Sequence, residues 1–326
     1  MGEVNLILTN KKLLITGGTG FIGKNILDYI IENKINLTKL TLVTRNVSKF
    51  KQNYVNFNLL NNVDFIETDV CDLKYNGESY DYIIHAATNV VEQTEGIKLS
   101  TDIVKGTTKV LEFAVSANIA AFINFSSGAV YGKFSHLENI SELQNPEFNI
   151  NDTKSTYGMS KLYGEHLVYL YADKYQFKAI SLRCFAFAGK YLNYNHYAIG
   201  DFISRVINNQ NIVVNAGKNI YRSYLAIEEL IEWMFSLVNY VITNNKTYDI
   251  YNIGSDKAIS LPDLAYKVKD VLQSDIKISC PNYENDTIMY YVPSIDKISN
   301  VGRKVKTNLD DLIIFLASHY RKNLHE

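Results

Sequence analysis

Two hydrophobic periods alternate along the first part of this chain. Short apolar runs at residues 12–15, 40–44, 63–67, 80–84, 121–125 and 179–183 read as strands. Between them lie stretches with apolar residues three and four apart. In 21–32 the side chains of Ile22, Ile26, Tyr29 and Ile30 share one face, and residues 101–118 and 157–175 also read as helices. Such alternation predicts an α/β fold, a doubly wound parallel sheet covered on both faces. In such sheets ligands bind outside the carboxyl ends of the strands. After about Gly189 the regularity loosens. A polar aromatic loop at 191–197 precedes a helix at 199–208. A strand at 212–214, a helix at 227–241, a strand at 248–253, a helix at 261–272 and a last segment at 310–320 follow. No internal repeat or low-complexity linker separates these parts.

The first strand runs into Thr16-Gly17-Gly18-Thr19-Gly20-Phe21-Ile22-Gly23, and a helix follows at once. This is the setting a dinucleotide fingerprint requires: glycines allow a tight turn and a close approach to a pyrophosphate, and the helix start supplies N–H groups. Gly17, Gly20, Phe21, Ile22 and Gly23 are therefore candidate cofactor residues. The ribose-reading residue should follow the second strand, about 20 residues past the loop, where NAD sites place a carboxylate. The chain has Thr44-Arg45-Asn46 there. A guanidinium suits a 2′-phosphate, which favours NADP(H), with NAD(H) possible; alternatively Arg45 is a solvated charge beside an undiscriminating pocket. Asp69 and Val70, after the third strand, either hold the adenine edge or form a turn.

Tyr157-Gly-Met-Ser-Lys161 puts a phenol and an ammonium on one helix face. A nearby cation favours the phenolate, which tunes Tyr157 for proton transfer. The motif is short, the chain holds 24 tyrosines, and an exposed helix pair is the plain alternative. Ser126-Ser127-Gly128 at the end of the fifth strand adds a hydroxyl, Ser127, that can hold a carbonyl oxygen together with Tyr157. Neither serine lies in a G-x-S-x-G elbow, which argues against a serine hydrolase.

Composition narrows the picture. Over 326 residues, 47% are hydrophobic, ample for a buried core, and 33 basic against 34 acidic residues offer no attraction to nucleic acid or an anionic membrane surface. The cysteines, Cys71, Cys184 and Cys280, match no metal or disulfide spacing, which suits a reducing cytoplasm. No apolar run approaches the roughly 18 residues of a membrane span. Residues 1–6 lack a secretory leader's pattern.

Taken together, TGGTGFIG at 16–23, DV at 69–70, HAA at 85–87, SSGAVYG at 126–132, YGMSK at 157–161, LRCFAFAG at 182–189, YRSYLAIEEL at 221–230, YNIGS at 251–255 and YVPSIDKISNVG at 291–302 resemble an extended short-chain dehydrogenase/reductase. The resemblance is to the nucleotide-sugar epimerase/dehydratase/reductase group. It implies a Rossmann sheet with a small C-terminal substrate-binding cap: residues 1–189 with 211–258 for the dinucleotide, and 190–210 with 259–326 for the cap. It implies Ser127, Tyr157 and Lys161 as catalytic residues, with Tyr157, Lys161, Ala86 and Ala87 also on the cofactor side. Arg222 matches an arginine that contacts the diphosphate of the sugar nucleotide, and Gly128 and His196 fall among the substrate-side positions; an exposed loop is the equal alternative for His196. No metal is implied. A homodimer built from the helices at 101–118 and 157–175 is.

Departures from the family pattern discriminate between activities. The 4,6-dehydratases carry Asp-Glu after the active hydroxyl, whereas this chain has Gly128-Ala129, and neither can move a proton. The R-x-F-N pattern has become Arg183-Cys-Phe-Ala186, and no second phosphate arginine appears in 281–290, unlike a standard UDP-glucose 4-epimerase. These features favour an NADPH-dependent reductase of a nucleotide-linked 4-keto-6-deoxy sugar, in surface-polysaccharide (O-antigen) synthesis. The alternatives are a nucleotide-sugar 4-epimerase that recycles its cofactor and a non-catalytic nucleotide-binding protein.

Overall fold

The computed structural model describes residues 7–88, 96–133 and 138–323, so residues 1–6 lie outside it. Strands in chain order are β1 (Lys12–Thr16), β2 (Lys39–Thr44), β3 (Val63–Glu67), β4 (Tyr82–His85), β5 (Ala121–Ser127), β6 (Lys178–Cys184), β7 (Phe187–Ala188), β8 (Ile212–Val213), β9 (Ile220–Arg222), β10 (Leu225–Ala226), β11 (Tyr248–Ile253), β12 (Ile259–Ser260), β13 (Ile278–Ser279) and β14 (Met289–Tyr291). Helices are α1 (Phe21–Glu32), α2 (Val47–Asn53), α3 (Gly96–Ser116), α4 (Thr156–Tyr175), α5 (Ala198–Ile207), α6 (Ile227–Thr243), α7 (Leu261–Val271), α8 (Asp296–Ser299) and α9 (Leu309–Asn323).

The chain forms two compact units. One takes in the chain up to Gly132, with Asn145–Cys184 and Ile231–Tyr251; the other holds Lys133–Gln144, Phe185–Leu230 and the chain from Asn252 onward. The first is built on a seven-stranded sheet in the order β11-β6-β5-β4-β1-β2-β3. Pairings from β3 across to β6 are all parallel. Every residue of β4 and β5 is buried, the mark of strands covered on both faces. Val110, Leu111 and Phe113 of α3, Val168 and Ala172 of α4, and Phe122 of β5 close a common core.

Several elements differ from the sequence reading. The fourth strand begins at Tyr82 rather than 80; Tyr80 is still buried, its hydroxyl bonded to Thr41 Oγ1 at 3.1 Å. Helix α3 starts at Gly96, five residues early. Helix α2 was not expected, because among its seven residues only Phe50 is buried.

The second unit is a set of small sheets with helices. β7 pairs with β10, β9 is flanked by β12 and β14, and β13 pairs with β8. Helix α5 packs against α7 and α9. The division into units groups residues 185–189, 211–230 and 252–258 with the second unit, where the sequence reading grouped them with the dinucleotide domain. Residues 138–144 join it too: Ile140 N–H donates to Val292 O (3.0 Å), and Ile140 O accepts from Ser294 N–H (2.8 Å) and Asn252 Nδ2 (2.7 Å).

In the first unit, α4 docks through a buried ion pair. Arg183 of β6 grips Glu165 of α4 with Nη2 to Oε2 at 2.8 Å and Nε to Oε1 at 3.1 Å, and Ser126 Oγ donates to the same carboxylate. The guanidinium lies 4.8 Å from the Tyr131 ring centroid. Burial disfavours the Arg183 charge, but the Glu165 bonds outweigh it and raise its pKa. Removing one partner strands the other in the core, which costs about 3–5 kcal/mol. Arg183→Met should therefore lower the urea midpoint by that much stability; a loss below about 1 kcal/mol would show that Glu165 is not held as a buried anion.

Candidate active site

The glycines of the first loop have separate physical reasons. Gly17 has φ +73°, and a Cβ there would lie 2.7 Å from the backbone of Ala86 and Ala87. The loop is thus pressed onto the end of β4, with Ala86 N–H donating to Thr16 O at 3.1 Å. At Gly23 a Cβ would stand 2.3 Å from Gly18 Cα, so α1 can rise only without a side chain. Gly20 is different. Its φ of −87° suits any residue, and a Cβ would meet only Gly17 O, at 3.4 Å. Packing does not demand glycine there, and glycine at the N-cap brings no capping side chain of its own to the start of α1. That exposed helix start fits a pyrophosphate. Phe21 and Ile22, both half-buried, form its first turn.

Below the loop, His85 ends β4. Its Nδ1 lies 2.8 Å from Thr16 Oγ1 and its Nε2 3.2 Å from Thr107 Oγ1, tying β1, β4 and α3 together. Burial, aided by the Lys161 charge, pushes its pKa down to about 3, so it stays neutral and is not a proton carrier at physiological pH.

One close packing contact joins the strand end that carries Ser127 to the helix that carries Tyr157. Ser127 Oγ accepts the Ala129 N–H at 3.1 Å, which orients the hydroxyl and leaves its proton to donate. A Cβ at Gly158 would lie 2.2 Å from Ala129 O, so α4 begins flush against the Gly128–Tyr131 turn and Tyr157 is adjacent to that contact. Tyr157 is half-buried, whereas Lys161, one turn on, is 7% exposed. Its Nζ donates to Phe125 O at 2.8 Å and to Thr88 Oγ1 at 2.7 Å. The exposed-pair alternative therefore does not describe this lysine. Glu165, a second turn on, went unnoticed in the sequence; its spacing of four from Lys161 was the available signal.

The remaining candidates fall in distinct surroundings. Arg45 is exposed after β2, with no ion-pair partner among the described residues. Asp69 Oδ1 accepts the Cys71 N–H at 2.9 Å, so it does cap a turn, and Val70 packs under Gly106 of α3. Gly128 is buried beside Ser127. In the second unit Arg222 is half-buried, 5.4 Å from the Tyr291 ring centroid, and donates to Tyr221 O at 2.9 Å. Among the described residues no carboxylate pairs with it. Burial lowers its pKa, the mark of a cation left without an anion. His196 is exposed and meets Tyr197 edge-on, with ring centroids 4.8 Å apart. Among the described residues no cluster of His, Cys, Asp and Glu could hold a metal, and no helix is long and apolar enough to cross a membrane.

A parallel sheet with a glycine cradle at one strand end and a Ser–Tyr–Lys set at another defines a dinucleotide-dependent enzyme of the short-chain dehydrogenase type. The family model of the NAD dependent epimerase/dehydratase family matches residues 13–254, and the chain belongs to that family. It is 31% identical over 325 residues to a putative UDP-glucose 4-epimerase of Methanocaldococcus jannaschii, covering 95% of this chain and 99% of the relative. It is 26% identical to the dTDP-D-glucose 4,6-dehydratase of Mus musculus, over 97% of this chain and 90% of that one. In fold it resembles a UDP-N-acetylglucosamine 4-epimerase from Methanobrevibacter ruminantium (TM-score 0.84, 21% identity, covering 97% and 100% of the two chains).

Lys161 links this geometry to pH. Burial brings its ammonium down to about 8, against smaller upward pulls from Cys184 and Glu165. Folded and unfolded chains both carry the proton below about 8, so the cost of burying the charge is full there. It falls as pH rises through about 8 and is gone above the ordinary lysine range. The positive charge held at Phe125 O and Thr88 Oγ1, one turn from Tyr157, is lost over the same interval. We expect kcat/KM to fall above about pH 8, and Lys161→Met to remove that limb while lowering activity by about 100-fold or more. A flat profile to pH 10 in the unaltered enzyme would refute the assignment.

Proposed function

We propose that the chain is a nucleotide-sugar 4-epimerase that uses a nicotinamide dinucleotide. One observation carries this reading: Tyr157 stands one turn from Lys161 on α4, whose start packs against the turn after Ser127, and Gly128-Ala129 stand where water elimination would need carboxylates. Similarity to both epimerases and dehydratases leaves that choice to the residues, and they favour the former.

When bound, the nicotinamide supplies hydride acceptance and return. The glycine loop, with Gly17, Gly20, Phe21, Ile22 and Gly23, would hold its pyrophosphate, the backbone at Ala86 and Ala87 would wall the same cleft, and Asp69 and Val70 would meet the adenine. Tyr157 Oη takes the C4 hydroxyl proton as hydride leaves that carbon, and gives it back when hydride returns to the opposite face. Ser127 donates to the same oxygen and steadies the ketone. The Lys161 ammonium stabilises the phenolate of Tyr157. Arg222, half-buried and without a carboxylate partner among the described residues, suits the diphosphate, and Gly128 and His196 are the further substrate positions. The first unit thus serves the dinucleotide and the second the sugar nucleotide.

Arg45 favours a second reading: an NADPH-dependent reductase of a nucleotide-linked 4-keto-6-deoxy sugar in O-antigen synthesis. Its exposed guanidinium suits a 2′-phosphate. Three free cysteines support a cytoplasmic setting. A homodimer is supported by the exposed stripe Met159, Tyr163 and Leu170 along α4, with Ile97 exposed on α3.

Denaturing the purified protein and identifying the released nucleotide separates the two readings. Near-stoichiometric bound NAD⁺ is the expected result, and an empty enzyme that oxidises NADPH with 4-keto sugar nucleotides would overturn it. Tyr157→Phe should lower interconversion of UDP- or dTDP-linked 4-epimers, followed by chromatography, by about 100-fold or more. Turnover at the unaltered rate would remove Tyr157 as the proton carrier.

A further inference from the structure

Strand β2 ends at Thr44 and β3 at Glu67, and these two residues are register partners. The Glu67 side chain crosses to the turn that follows β2: its Oε1 accepts the Val47 N–H at 3.0 Å. A carboxylate therefore stands beside the 45–46 turn, although the turn itself supplies none. Val47 N–H is its one hydrogen-bond donor among the described residues, and Glu67 is exposed, so Oε2 remains available to accept.

In an open α/β sheet that turn is where the adenosine ribose of a dinucleotide is read; a carboxylate there accepts from the 2′-hydroxyl and opposes a 2′-phosphate. We propose that Glu67 of β3 selects the cofactor, accepting from the adenosine ribose and repelling a 2′-phosphate, so that NAD(H) is held in preference to NADP(H) despite Arg45. The two charges differ in how they are held. Arg45 is exposed with no ion-pair partner among the described residues, and it can swing into solvent. Glu67 is pinned by a backbone hydrogen bond. Lys49 of α2 is likewise exposed, while Asn46 Oδ1 is committed to the Lys49 N–H at 2.7 Å. A fixed carboxylate a few ångströms from a phosphate dianion lowers its affinity on the order of tenfold or more.

The inference rests on the cofactor reading of the glycine loop but not on the identity of the sugar, because its test uses no sugar. The probes are NAD⁺, NADP⁺ and 2′,5′-ADP, titrated by calorimetry into purified protein freed of bound nucleotide. Glu67→Gln keeps an acceptor for the Val47 N–H and removes the charge. The expected results are an unaltered protein that favours NAD⁺, and a Glu67→Gln variant whose NADP⁺/NAD⁺ affinity ratio rises about tenfold, with 2′,5′-ADP binding improved alike. Val47→Pro separates the charge from the cap. Proline is tolerated at the first helical position, and Asn46, at φ −155° and ψ 100°, already has the extended backbone a proline asks of its neighbour. This variant loses the N–H that pins the carboxylate but keeps the charge, and it should favour NAD⁺ less than the unaltered protein and more than Glu67→Gln. An unaltered protein that favours NADP⁺, or a Glu67→Gln ratio within twofold of it, would overturn the proposal. Binding of neither dinucleotide would overturn both it and the cofactor reading.

Discussion

Two buried charges on one helix govern the catalytic half of the molecule. Lys161 and Glu165 lie one turn apart on α4, both turned to the core. Each must find polar partners there, since an unpaired buried charge is prohibitively costly. The partners come from consecutive positions of β5: the Phe125 carbonyl holds the ammonium, and the Ser126 hydroxyl, with Arg183 of β6, holds the carboxylate. These bonds fix the rotation of α4 about its axis. Tyr157, one turn before Lys161, inherits that orientation, and the next residue of β5 is Ser127. Reactive geometry is thus a by-product of charge satisfaction in the core.

Close backbone packing then sets distances where the charges set angles. Gly158 lets α4 start against Ala129 O, and Gly17 lets the cofactor loop start against Ala86 and Ala87. Gly20 differs from these two: a Cβ there would meet only Gly17 O, at 3.4 Å, so packing leaves room beside the start of α1. Below, His85 clamps β1, β4 and α3 without adding charge.

Features carried by local periodicity were readable before the structure. The first six strands, the glycine loop and the Tyr–Lys spacing all announce themselves within windows of a few residues. What was not readable depends on pairings distant in sequence. Strands of two or three residues such as β7, β9 and β14 carry too little pattern to register alone. Residues 138–144 belong to the second unit through bonds of Ile140 to Val292, Ser294 and Asn252. The 44–46 turn was read as lacking a carboxylate, and within that turn this is correct. Register places Glu67 next to Thr44, and only a sheet reveals that neighbour.

Lys161 also sets the terms on which such an enzyme can be made more robust. An ammonium held in the core at a depressed pKa is a standing liability to the folded state, whereas a hydrocarbon of similar length would pack there without it. Selection for heat resistance alone would press first on this position. The outcome would be a tougher protein that keeps its fold and its glycine loop and has lost the ammonium that faces Phe125 O.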